Sequence, residues 1–109
     1  MTAVDVHATH HETDVHVAIT GEIDLTNRDL VSEQLISAIS NHTTRVTVDL
    51  EDVTYLDSTG LRLFFNLAER LRVLQVQLTL AVSESSTSRR IIALSGLDQL
   101  VEIRTTGTT

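Results

Sequence analysis

Apolar residues recur along this chain with two periods, and the period switches cleanly from segment to segment. Val4, Val6 and Ala8 alternate with polar residues, and so do Val15, Val17 and Ile19. Two alternating runs separated by His10 to Thr13 predict a β-hairpin. Gly21 interrupts the pattern. Thr26, with Asp29 three positions on, precedes an apolar series at Leu30, Val31, Leu35, Ala38 and Ile39. That is a helix start signal followed by one buried face, and Asn41 to Thr44 ends it. Val46, Val48 and Leu50 predict a third strand, with Glu51 to Tyr55 as a connector. A second helix begins around Ser58, because Leu61, Phe64, Phe65, Ala68 and Leu71 share one helical face. Val76, Leu78 and Leu80 predict a fourth strand. Ser83 to Ser88 reads as a polar loop and helix cap, followed by a short helix carrying Ile91, Ile92 and Leu94. Ser95-Gly96 is a helix stop. Val101 and Ile103 predict a last short strand, and Thr105 to Thr109 a frayed tail.

The order β-β-α-β-α-β-α-β predicts an α/β fold. Its mixed sheet would have about five strands, an antiparallel hairpin followed by parallel neighbours, with about three crossover helices. Residues 1–109 are expected to form a single domain. The expected core is Val17, Ile19, Leu35, Val48, Leu50, Leu61, Phe64, Leu71, Leu78, Leu80, Ile91 and Leu94, with Leu56 as packing beside it.

Composition narrows the function. The chain has no cysteine, so disulfides, thiolate metal sites and cysteine nucleophiles are excluded. The formal net charge is −7, and all eight basic residues are arginines, scattered apart from Arg89 and Arg90. Nucleic acid is therefore not the expected partner, since phosphate contacts need clustered cations. Aromatic residues are only 3% (Tyr55, Phe64, Phe65), too few for stacking platforms. No apolar run reaches the length of a membrane span, and Met1 to His11 is polar without a signal-peptide pattern. No membrane association is expected, and the expected location is the cytoplasm.

The segment with chemistry in it is Asp57-Ser58-Thr59-Gly60-Leu61, where the third strand region gives way to the second helix. Functional groups in α/β sheets gather at such strand-to-helix junctions. A hydroxyl in a first helical turn lies near unpaired backbone N–H groups and the positive end of the helix dipole. A phosphate on Ser58 would be tolerated there without unfolding the helix. Taken alone, Asp57 or Ser58 is accounted for as an N-cap. Two further segments alter that reading: Gly21-Glu22-Ile23-Asp24 before the first helix and Ser95-Gly96-Leu97 after the third.

These three segments, in this order and spacing over nearly the whole chain, resemble the STAS domain family, specifically the bacterial anti-sigma factor antagonists. The resemblance implies a regulator rather than an enzyme, without a cofactor or metal. It implies a partner that is both an anti-sigma factor and a serine kinase of the GHKL type. That kinase would phosphorylate the serine after the motif aspartate, here Ser58. Unphosphorylated protein would bind the anti-sigma factor and release its sigma factor, phosphorylated protein would not bind, and a PP2C-type phosphatase would return it to the unphosphorylated, binding form. The implied partner-facing residues are Asp24, Asp57, Thr59, Gly60, Leu61 and Arg62. The sequence departs from the family in four places. Thr59 is a second hydroxyl where many relatives have serine, and Arg62 stands where many have glycine. The loop before the third helix has Glu84-Ser85-Ser86 without the frequent proline. A terminal helix found in many relatives is expected to be short or missing.

Three other readings compete. A phospho-aspartate receiver built on Asp57 would need a lysine, and the chain has none. A serine hydrolase lacks its G-x-S-x-G elbow, and no histidine follows His42. A STAS module acting as a scaffold or a nucleotide-responsive element keeps the fold and drops the kinase. His7, His10, His11 and His16 gather at the predicted hairpin, but no metal signature such as H-E-x-x-H accompanies them, and exposed hairpin histidines suffice.

Overall fold

Alternation and turn chemistry give the molecule its order of elements. The computed structural model describes residues 3–106. Strands Val4–His11 (β1) and Asp14–Ile23 (β2) form the opening hairpin. Helix Arg28–Ser37 (α1), strand Arg45–Leu56 (β3), helix Ser58–Val73 (α2) and strand Gln77–Ser83 (β4) follow. Helix Thr87–Ser95 (α3), a 3-10 turn at Leu97–Gln99 and strand Glu102–Thr106 (β5) complete the described chain. The sheet runs β1-β2-β3-β4-β5, with β1 and β2 antiparallel and every later pair parallel.

Each parallel step is bridged by one helix. Val15, Val17 and Ile19, Val46, Val48 and Leu50, and Leu78, Leu80 and Val82 all point into the core. There they meet Val31 and Leu35 of α1, Leu61, Phe64 and Leu71 of α2, and Ile92 of α3. Phe64 is fully buried, and removing such a ring costs about 3–5 kcal/mol.

Several local expectations are corrected. Glu51 to Tyr55 is not a connector, because β3 continues to Leu56. Its pairing with β2 slips twice, between Ala18 and Thr20 and again between Gly21 and Glu22. Each slip gives β3 one extra residue, so its inward positions become Leu50, Val53 and Leu56. An irregular ladder of this kind turns a period of two into a period of three. Gly21 likewise does not end β2. Its φ of 104° places it where L side chains rarely sit, and a Cβ there would strike the Ala3 carbonyl oxygen. The Glu22 amide donates to that same oxygen at 3.1 Å, so Gly21 lets the β2 backbone close onto the start of the chain.

The first helix starts on Asn27 rather than Thr26, whose amide and hydroxyl both turn back to Asp24. Leu94 is 82% exposed, and Ile92 and Leu97 take the core places on that side. Ile91 is half-buried. Thr105 and Thr106 belong to β5, with the Thr106 hydroxyl donating to Glu51 Oε1 at 2.6 Å. The rest of the expected tail, 107–109, lies outside the described residues.

Candidate functional site

The C-terminal ends of β2 and β3 lie side by side, since Ile23 pairs with Leu56. Both chains then turn into helices, and the residues singled out in the sequence gather at these two turns.

At the end of β3, Asp57 has extended backbone geometry (φ −109°, ψ −172°) and caps α2. Its Oδ1 accepts from the Thr59 amide at 2.9 Å and the Gly60 amide at 3.1 Å. The Leu61 amide reaches the Asp57 carbonyl at 2.9 Å. One carboxylate thus satisfies donors that the first turn of a helix leaves without intrahelical partners. Its other oxygen, Oδ2, accepts from the Tyr55 phenol at 3.1 Å. Because Tyr55 is in β3 and two residues from Asp57, both side chains project to the same side of the strand end.

Ser58 is the first residue of α2 and is exposed, while Thr59 is half-buried. Gly60 and Leu61 are buried. A Cβ on Gly60 would press on the Leu56 side chain and on Ile23, so a glycine here seats the start of α2 against both strand ends. These two residues hold the junction from beneath, and the outward groups are Ser58, the Asp57 carboxylate and the Tyr55 ring.

At the end of β2, the buried Asn27 closes a tight loop. Its Oδ1 accepts from the Asp24 amide at 3.1 Å and its Nδ2 donates to the Glu22 carbonyl at 2.8 Å. Asp24 Oδ1 accepts from the Thr26 amide at 2.9 Å and the Thr26 hydroxyl at 2.6 Å. Leu25 is left 69% exposed beside Asp24. The Asp57 hydrogen bond, the Asp57 charge, partial burial, and the charges of Asp24 and Glu22, in that order, hold the Tyr55 phenol above its ordinary pKa. With Ile23 paired to Leu56, the two turns share one acidic neighbourhood around the Tyr55 phenol. Tyr55 was not among the residues singled out in the sequence, because its segment reads there as a connector.

Arg62 sits one helical turn beyond Ser58, exposed, in a groove between α1 and α2 shared with Arg28, Asp29 and Asn66. The histidines of the hairpin lie elsewhere. His16 is 3.9 Å from Asp49 across the sheet, and His10 Nε2 is 2.9 Å from the Ala38 carbonyl oxygen at the far end of α1.

No helix of the described residues is long and apolar enough to cross a membrane. Known proteins resemble this chain along nearly its full length. It is 28% identical over 102 residues to the anti-sigma-B factor antagonist of Bacillus subtilis (strain 168), covering 92% of this chain and 90% of the relative. In fold it matches an anti-sigma factor antagonist from Mycobacterium paratuberculosis with a TM-score of 0.82 and 22% identity, over 94% of this chain and 86% of the other. It also matches the Bacillus cell fate determinant SpoIIAA in its phosphorylated form, with a TM-score of 0.68 and 19% identity, over 98% of this chain and 92% of that one. The STAS domain family matches residues 5–108, a span that holds α1, α2, α3, β2 to β5 and all of β1 but its first residue, and the chain belongs to that family.

Proposed function

We propose that this protein is an anti-sigma factor antagonist controlled by phosphorylation of Ser58. The observation that carries the reading is an exposed hydroxyl on the first residue of α2, next to the capping Asp57 and at the end of the sheet where Ile23 pairs with Leu56. Unphosphorylated, the protein binds an anti-sigma factor and so frees its sigma factor. The surface offered is Asp24, Asp57, Ser58, Thr59 and Arg62, seated on Gly60 and Leu61. The anti-sigma factor is itself a GHKL-type serine kinase. It transfers the γ-phosphoryl group of ATP to Ser58 Oγ. A new P–O bond forms there, the bond to the β-phosphate breaks, ADP leaves and the hydroxyl proton is lost. A PP2C-type phosphatase hydrolyses the ester, and the cycle runs in the cytoplasm. The exposure of Ser58 against the half-burial of Thr59 favours Ser58 as the acceptor.

The charge arithmetic supports a switch in binding rather than in folding. A phosphoserine carries roughly −1.5 to −2 charges at neutral pH. Beside Asp57 and Asp24 it makes the patch strongly anionic, and repulsion with desolvation at a packed interface costs several kcal/mol. The cap itself survives, since Asp57 keeps its bonds to Thr59 and Gly60 and the helix terminus favours negative charge. That SpoIIAA, which shares the fold, is known in a phosphorylated form agrees with this reading.

The test is incubation with candidate anti-sigma kinases and ATP, followed by mass spectrometric mapping and affinity measurement. Phosphate on Ser58, its loss in Ser58→Ala, and at least about 100-fold weaker binding by Ser58→Glu are expected. Unchanged affinity of Ser58→Glu overturns the switch. Binding without any phosphate at Ser58 makes the module a scaffold.

A further inference from the structure

Ser58 and Arg62 are four residues apart in one unbroken helix, Ser58–Val73, and both are exposed. Residues so spaced lie one above the other, with Cβ atoms about 5–6 Å apart. With Asn66 they form a polar stripe along the outer face of α2. Arg62 forms no ion pair among the described residues. Its neighbour Arg28 is already matched, with Nε 3.5 Å from Asp29 Oδ1. The Arg62 guanidinium is therefore an uncommitted cation within side-chain reach of the candidate phosphoacceptor.

Resting on the phosphorylation of Ser58 proposed above, we infer that Arg62 is the intrahelical counter-ion of phosphorylated Ser58. An acidic group placed N-terminal to a basic one at this spacing is the favourable orientation on a helix. A phosphate adds three acceptor oxygens, and a guanidinium binds two of them at once through its fork of N–H donors. The phosphate draws Arg62 out of the α1–α2 groove and onto the start of α2. Phosphorylation thus changes the surface twice: it adds negative charge at Ser58 and removes a cation from the groove beside Arg28. A partner that sets a carboxylate against Arg62 loses that contact at the same moment. The charged groups around the phosphate are Asp57 on the cap, Asp24 on the neighbouring turn, and Arg28 and Asp29 on α1.

The experiment installs phosphoserine at position 58 during translation, so no kinase is needed, in wild type, Arg62→Gln, Arg62→Lys and Arg28→Gln. Phosphorus NMR then follows the second phosphate ionisation against pH. In wild type it is expected to fall at a pH lower by about 0.3 than in Arg62→Gln, with Arg62→Lys between them. Arg28→Gln is expected to move it less, and high salt to shrink the difference. Equal midpoints for wild type and Arg62→Gln overturn the inference, as does a larger effect from Arg28→Gln. Because the phosphate is installed directly, a kinase that fails to modify Ser58 counts against the switching reading alone.

Discussion

Two strand-to-helix turns stand next to each other at one end of the sheet, and they are built in opposite ways. After β2, the polar side chains bond inward: Asn27 to Glu22 and Asp24, and Thr26 to Asp24. Side-chain capping of α1 is absent there, and Asn27 serves as a buckle for the loop. After β3, one aspartate performs the capping of α2 alone and leaves the next hydroxyl outward. The first turn therefore holds shape and the second presents a group for modification. A carboxylate cap is what frees Ser58: had Ser58 been the cap, its oxygen would be engaged with backbone N–H groups.

The most drastic way to break this arrangement is at the strand leading into the first turn. Gly21→Ala forces a side chain into positive φ and against the Ala3 carbonyl. A loss of roughly 3 kcal/mol is expected, read as a lower urea midpoint. An unchanged midpoint would show that the β1 edge yields freely. Next comes Asn27→Ala, which strips buried partners from the Glu22 carbonyl and the Asp24 amide. About 2 kcal/mol is expected. If the inward-built turn is only structural, Ser58 in this variant is modified at close to the normal rate once folding is secured by low temperature.

The second turn is expected to respond less in stability and more in function. Asp57→Ala removes the cap and costs about 1 kcal/mol. Asp57→Asn keeps a capping oxygen, so only a few tenths are expected while one charge is lost. Thermal unfolding of the pair separates cap from charge. Equal losses in the two variants would mean that the charge, and not the hydrogen-bonded cap, sustains the start of α2.

The fold was legible in the sequence where periodicity was regular. Val15, Val17 and Ile19, or Val46, Val48 and Leu50, can alternate only as half-buried strands. It was illegible where the ladder slips. The step from Leu50 to Val53 to Leu56 is a strand whose extra residues disguise its period. That concealment also hid Tyr55, since its alignment with Asp57 follows only from β3 running to Leu56. In α3, Ile92 and Leu94 are equally apolar, and tertiary placement rather than pattern decides that Ile92 is inside. The helix start at Asp57-Ser58 was legible, but which of the two residues caps it was not; Asp57 takes the cap and leaves Ser58 exposed. The i to i+4 spacing to Arg62 was in the sequence as well, but only an intact helix from Ser58 gives it meaning.

The smallest effect is also the cleanest probe of the acidic neighbourhood joining the two turns. Tyr55 is the only tyrosine, so phenolate absorbance reports this position alone. The hydrogen bond to Asp57 comes first, then its charge, partial burial, and the charges of Asp24 and Glu22; together they raise the phenol pKa above the ordinary 10.0. A folded-state pKa above the unfolded one means that the neutral phenol is the form the fold favours. Its stabilising contribution is fully present below about pH 10 and is lost as pH rises through the folded-state value. In the native protein the phenolate is therefore expected to appear at higher pH than in the urea-unfolded chain. Asp57→Asn should lower the native midpoint more than Asp24→Asn, because Asp57 contributes both a bond and the nearer charge. Since the ring is 45% exposed, added salt is expected to narrow these differences. A native midpoint that Asp24→Asn leaves unchanged would separate the two turns electrostatically. Asp24 could then not add to the repulsion that a phosphate on Ser58 is proposed to create.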